Sequence, residues 1–102
     1  AEIEGFKFEK FVFDALPLTD KNIVLETIRE VEFAPVKNPS GVDSVESAHE
    51  LMTRLYRRWL GERGIGIPSR LKKIEISPLL ALEASDIPDS ISIPDSESVY
   101  LE

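Results

Sequence analysis

The chain has no cysteine among its 102 residues. Disulfides, thiolate catalysis and cysteine-based metal sites are therefore excluded together, and a reducing, cytoplasmic setting is the expectation. It has a single histidine, His49. The pair His49-Glu50 opens like the HExxH zinc motif, but Thr53 stands where the second histidine belongs, so the zinc protease reading fails; His49 reads as a surface or interface residue. Serines are plentiful, yet none sits in a Gly-x-Ser-x-Gly setting, and one histidine cannot be assigned to them as a base. Gly61, Gly64 and Gly66 (GERGIG) fit neither the dinucleotide fingerprint nor the P-loop. No apolar run reaches about 18 residues, so no helix should cross a membrane. The start, Ala1 to Gly5, carries Glu2 and Glu4 in place of a basic-then-apolar leader. Carboxylates abound, but no spacing singles out a catalytic pair.

What is present is acidic: the formal charge is −7 and the pI about 4.7. Nucleic acid is an unfavourable partner for such a chain. The charge is unevenly spread. Residues 1–50 hold 5 basic and 11 acidic side chains, residues 51–73 hold 7 basic and 1 acidic, and residues 74–102 hold 7 acidic and none basic. The middle block either docks on the acidic flanks or a partner, or binds an anion. Arg54, Arg57 and Arg58 are guanidinium forks that match phosphate oxygens; the plainer reading is a solvated helix face.

The hydrophobic pattern gives the elements. In 6–16 the phenylalanines alternate in pairs as a strand would, while Phe8, Phe11, Val12 and Ala15 fall at helical spacing; a helix ended by Pro17 is expected. Segment 22–33 alternates and is rich in β-branched residues, which predicts a strand. Segment 34–42, with Pro35, Pro39 and Gly41, is a loop. From 44 to 60, Val45, Ala48, Met52, Leu55 and Trp59 recur at three- and four-residue steps. This is an amphipathic helix, expected to be capped by Asp43 with Glu46 as capping-box partner and stopped at Gly61 and Gly64. In the tail, Ile87 to Ser92 (IPDSIS) is succeeded at once by Ile93 to Ser98 (IPDSES). A six-residue period with one aliphatic per copy suits a short β-helix fragment; an extended strand paired elsewhere, or a disordered acidic terminus, would fit the same residues.

Lys37 lies on the loop after the expected strand. Loops at the carboxyl ends of strands are where α/β enzymes hold ligands, and a lysine there offers a mobile point charge to phosphate oxygens. Composition alone makes it an ordinary surface lysine.

The stretches Phe8-Glu-Lys-Phe-Val-Phe-Asp14, Arg29-Glu-Val-Glu-Phe-Ala-Pro-Val-Lys-Asn38 and Ile74-Glu-Ile-Ser-Pro-Leu79, in this order, resemble the C-terminal part of UDP-N-acetylglucosamine pyrophosphorylases. The helix opening at Asp43-Ser-Val-Glu-Ser resembles that family's segment after the loop. The resemblance covers residues 6–82 and is most specific at Glu32-Phe-x-Pro-x-Lys-Asn38. It implies that Phe11 and Phe13 are substrate-binding residues walling the sugar pocket, and that Lys37 approaches the phosphates as a substrate-binding and catalytic residue. It implies a reaction of UTP with N-acetylglucosamine 1-phosphate, with Mg²⁺, releasing pyrophosphate. It implies a division into 1–73, the end of a catalytic nucleotidyltransferase domain, and 74–102, a short β-helix-like region. The fold class expected is thus an α+β fragment of an α/β Rossmann-like nucleotidyltransferase: strand, amphipathic helix, then short β-helix-like strands. The glycine-rich nucleotide-binding stretch of the family is absent, so this chain alone is expected to be inactive. The alternative is a non-catalytic oligomerisation or interaction module derived from such an enzyme, prone to self-association through open strand edges.

Overall fold

A computed structural model describes residues 2–102. One long helix and one pair of strands form a packed unit, and the arm before it, residues 2–28, extends away from it. The radius of gyration is 19.1 Å, against about 13 Å for a compact chain of this length.

The helix, α2, spans Val45–Glu62. Its N-cap is Ser44, not Asp43. The Ser44 hydroxyl accepts from the Ser47 amide at 3.2 Å, and the Ser47 hydroxyl accepts from the Ser44 amide at 2.9 Å. Asp43 cannot cap because its φ is +57°, whereas an N-cap residue needs extended backbone. An aspartate tolerates the left-handed region better than most residues. That conformation aims its carbonyl back at the loop, where it accepts from the amides of Lys37 (2.6 Å) and Asn38 (2.9 Å). Gly64, at φ +68°, ends the helix. The Ile65 amide donates to the Leu60 carbonyl at 2.9 Å and the Gly64 amide to Gly61 at 3.0 Å. This pair of bonds is the Schellman arrangement, which a residue without Cβ adopts without strain.

Strand β1 (Lys73–Ile76) pairs in parallel with β2 (Ser98–Leu101), Lys73 opposite Ser98 and Ile76 opposite Leu101. The chain between them makes one coil. Apart from Ser98, which opens β2, the two hexapeptides lie in turns and irregular chain rather than in strands; Pro88 and Pro94 have no amide to give a ladder. Ile87 is buried, and Ile91 and Ile93 lie half-buried against the same core. That core joins Leu60 from the helix to Leu71, Ile74, Ile76, Ala81 and Ile87, so it draws on both sides of residue 73. Basic side chains of the middle block meet acidic ones of the tail in chain order: Arg63 with Asp89, Arg70 with Asp95, Lys72 with Glu97. The Arg63 guanidinium also donates to the Ile87 carbonyl at 3.1 Å. Three of the seven basic side chains of the middle block thus dock on the acidic tail.

Two further expectations fail before residue 44. Segment 22–33 is not a strand. Residues 22–28 are irregular and exposed, Ile23 and Val24 at 96% each, and Arg29–Glu32 forms a single helical turn, α1. A strand needs a partner edge, and no described segment of this chain offers one to these residues. The helix expected over 6–16 is instead a 3₁₀ stretch at Val12–Leu18, which runs one residue past Pro17; residues 6–10 have no regular structure. A short helix without a surface to cover gains nothing from its apolar stripe.

Candidate functional site

The loop carrying Lys37 is closed on itself. Besides the two amides bound by the Asp43 carbonyl, the Asn38 side chain donates to the Val42 carbonyl at 2.7 Å. Pro35 and Pro39 stiffen it further by fixing φ. Lys37 itself is exposed, its Nζ 6.0 Å from the centre of the Phe33 ring. The Arg29 guanidinium lies over the same ring at 4.3 Å. Two cations therefore gather at one aromatic ring. Arg29, Phe33, Pro35, Val42, Leu51 and Arg54 are among the residues lining a groove of about 320 Å³ between this loop and α2. Sequence reasoning singled out Lys37 but not Arg29 or Phe33. Their spacing of four, 29–33–37, was the available signal.

Phe11 and Phe13 stand on the arm, 59% and 69% exposed. Within this chain they pack on no core residue. Asp14 accepts from the Phe11 amide at 3.3 Å, which fixes the arm only locally.

A second groove, about 670 Å³, lies between α2 and the start of β1. Its lining includes Glu46, Glu50, Arg54, Arg57, Lys72 and Lys73. Thr53 Oγ1 accepts from the Ile74 amide at 3.4 Å, and Arg57 donates to the Leu71 carbonyl, so helix and strand are stitched along its floor. The Glu46 carboxyl is held below the usual carboxylate range by a hydrogen bond from its own backbone amide first, then by the Ser44 hydroxyl, with smaller help from His49 and Lys73. Burial pushes the Tyr56 phenol up, and Glu75 adds to the shift.

No three His, Asp or Glu side chains gather to hold a metal among the described residues. Among the described residues, no helix is long and apolar enough to cross a membrane.

No protein-family model and no solved structure matches the chain. Curated sequences do. Over 92 residues it is 37% identical to UDP-N-acetylglucosamine diphosphorylase 2 of Arabidopsis thaliana, covering 84% of this chain and 18% of that protein. Over 89 residues it is 37% identical to UDP-N-acetylglucosamine diphosphorylase 1 of the same plant, covering 81% and 18%. Over 92 residues it is 34% identical to a probable UDP-N-acetylglucosamine pyrophosphorylase of Dictyostelium discoideum, covering 86% and 19%. The chain belongs with the C-terminal portion of the UDP-N-acetylglucosamine pyrophosphorylases. It spans about a fifth of the length of these relatives. The family names an enzyme, of which this chain carries a small part.

Proposed function

We propose that the chain is the C-terminal part of a uridylyltransferase that joins UTP and N-acetylglucosamine 1-phosphate, or a related sugar phosphate, into a UDP-sugar and pyrophosphate. The observation that carries this is the match over more than four-fifths of the chain to proteins named for that reaction. In the whole enzyme a phosphate oxygen of the sugar 1-phosphate attacks the α-phosphorus of UTP; the new P–O bond forms as the bond to the leaving pyrophosphate breaks. Chemistry of this kind asks the protein mainly to align groups and offset negative charge. Lys37, on a loop tied by three hydrogen bonds, suits the second task, and Phe11 and Phe13 suit a sugar-pocket wall that excludes water. The Mg²⁺ this reaction uses would be held by residues outside this chain.

The test is kinetic. In the complete enzyme, Lys37→Ala should lower kcat at least about tenfold, equivalent to about 1.4 kcal/mol of barrier. A kcat that stays unchanged sinks the role of Lys37. The 102-residue chain alone should release no pyrophosphate from the two substrates. A second reading, a non-catalytic interaction module, draws on the apolar arm, which favours self-association. It would be preferred if the gene encoded no nucleotide-binding part and sedimentation showed a stable oligomer.

A further inference from the structure

Residues 51–73 carry seven basic side chains. Four have carboxylate partners: Arg58 with Glu62, Arg63 with Asp89, Arg70 with Asp95, Lys72 with Glu97. The other three, Arg54, Arg57 and Lys73, form no ion pair among the described residues. All three line the same 670 Å³ groove between α2 and β1, with Lys72 beside them. Arg57 is tethered to the Leu71 carbonyl, a neutral acceptor that holds the guanidinium in place and leaves its charge uncompensated. In a chain of charge −7, nearby carboxylates are abundant, so three unpaired cations on one concave surface are a place prepared for an outside anion. The volume is that of a small-molecule site, within the ordinary range of roughly 300–1,000 Å³. Glu46 and Glu50 line the groove nearer the helix N-terminus. Glu46 and Arg57 are separated by roughly 16 Å of helix rise. Carboxylates repel a phosphate but accept from hydroxyls, so the groove favours an anion at one end and hydroxyl groups at the other.

We infer that this groove binds a phosphorylated, hydroxyl-bearing small molecule of the sugar-phosphate class, at a site distinct from the Lys37 loop. The phosphate meets Arg54, Arg57 and Lys73; the hydroxyls meet Glu46 and Glu50. The site belongs to this chain and does not depend on the proposed catalytic role, although the two would take related ligands. The loop and the groove share Arg54 and Glu50 as neighbours, so Lys73 is the residue that tells them apart. Its side chain makes no ion pair, and its strand hydrogen bond is through the backbone.

The test is an NMR titration of the 102-residue chain with N-acetylglucosamine 1-phosphate and, separately, with inorganic phosphate at matched ionic strength. Saturable shifts are expected at the amides of Thr53, Arg54, Lys73 and Ile74. The double variant Arg54→Gln/Lys73→Gln should bind at least about tenfold more weakly with its helical circular dichroism intact. Arg70→Gln, which removes a cation paired with Asp95 outside the groove, should bind as the unaltered chain does. Tighter binding of the sugar phosphate than of phosphate supports the two-ended ligand; equal binding rejects it in favour of a simple phosphate site. No saturable shift at millimolar ligand, affinity retained in the double variant, or affinity lost in Arg70→Gln each overturns the site. Because the catalytic role of Lys37 is read from kcat in the complete enzyme, either proposal can fail while the other stands.

Discussion

Residues 2–28 and residues 44–101 are both rich in large apolar side chains, and they meet opposite fates. In the first stretch Phe6, Phe8, Phe11, Phe13, Ile23, Val24 and Leu25 are all exposed, and among the described residues the stretch makes no hydrogen bond outside itself except the turn into α1. In the second, Leu60, Leu71, Ile76 and Ile87 are almost wholly buried. Hydrophobicity does not separate the two. What does is whether a partner surface lies within the same chain. The helix brings its own cap and stop and finds a sheet to cover, whereas the arm finds no surface of this chain to cover.

That contrast can be broken most sharply at Leu60. Leu60→Ala removes a fully buried side chain at the joint of helix and sheet. It should cost about 2–5 kcal/mol, or roughly 4–8 °C of melting midpoint per kcal/mol in a unit this small. Thermal unfolding monitored by circular dichroism reads it. Deleting residues 1–28 should leave the same midpoint within error while improving solubility. If the deletion lowers the midpoint as much as Leu60→Ala does, the arm packs on the unit and the contrast between the regions is wrong.

The helix stop gives the next effect. Gly64→Ala meets no atom in the added Cβ's path, since the space there is open; the cost comes only from φ +68°. It should be about 1–2 kcal/mol. Gly5, on the arm, is equally open and has no positive φ, so Gly5→Ala should leave the midpoint unchanged. Equal effects at the two glycines, measured by chemical denaturation, would remove the backbone argument.

The sequence was legible where the information is local. The amphipathic stripe from Val45 to Leu60 marked the helix to within two residues, and the aliphatic at each hexapeptide start marked the inward-facing Ile87 and Ile93. The cap was misplaced by one residue because Asp43 and Ser44 are both good cap types, and only backbone φ distinguishes them. Segment 22–33 had β-branched residues and alternation but lacked a partner strand, which no local pattern reports. Lys37 stood out by its loop and its resemblance. The cations of the second groove did not stand out together. Which of seven basic residues stay unpaired depends on a coil that brings Asp89, Asp95 and Glu97 back beside the helix and strand.

The smallest effect separates the regions by pH. Glu46 sits in the first turn of α2 with its carboxyl held below the usual range by its own backbone amide and by Ser44. A folded-state pKa below the unfolded value means the folded state binds its proton less readily, so the stabilising contribution is fully present above the unfolded glutamate pKa of about 4.3. It is lost as pH falls through the lowered folded value. Glu46→Gln should therefore melt slightly below the unaltered chain at about pH 7, and the gap should close once the pH has fallen below the lowered folded value. The carboxylate also faces the positive end of the helix dipole, so added salt should narrow the gap at neutral pH. A gap that persists unchanged at low pH would mean Glu46 contributes through packing rather than charge, and would leave Ser44 and Ser47 as the whole of the helix start.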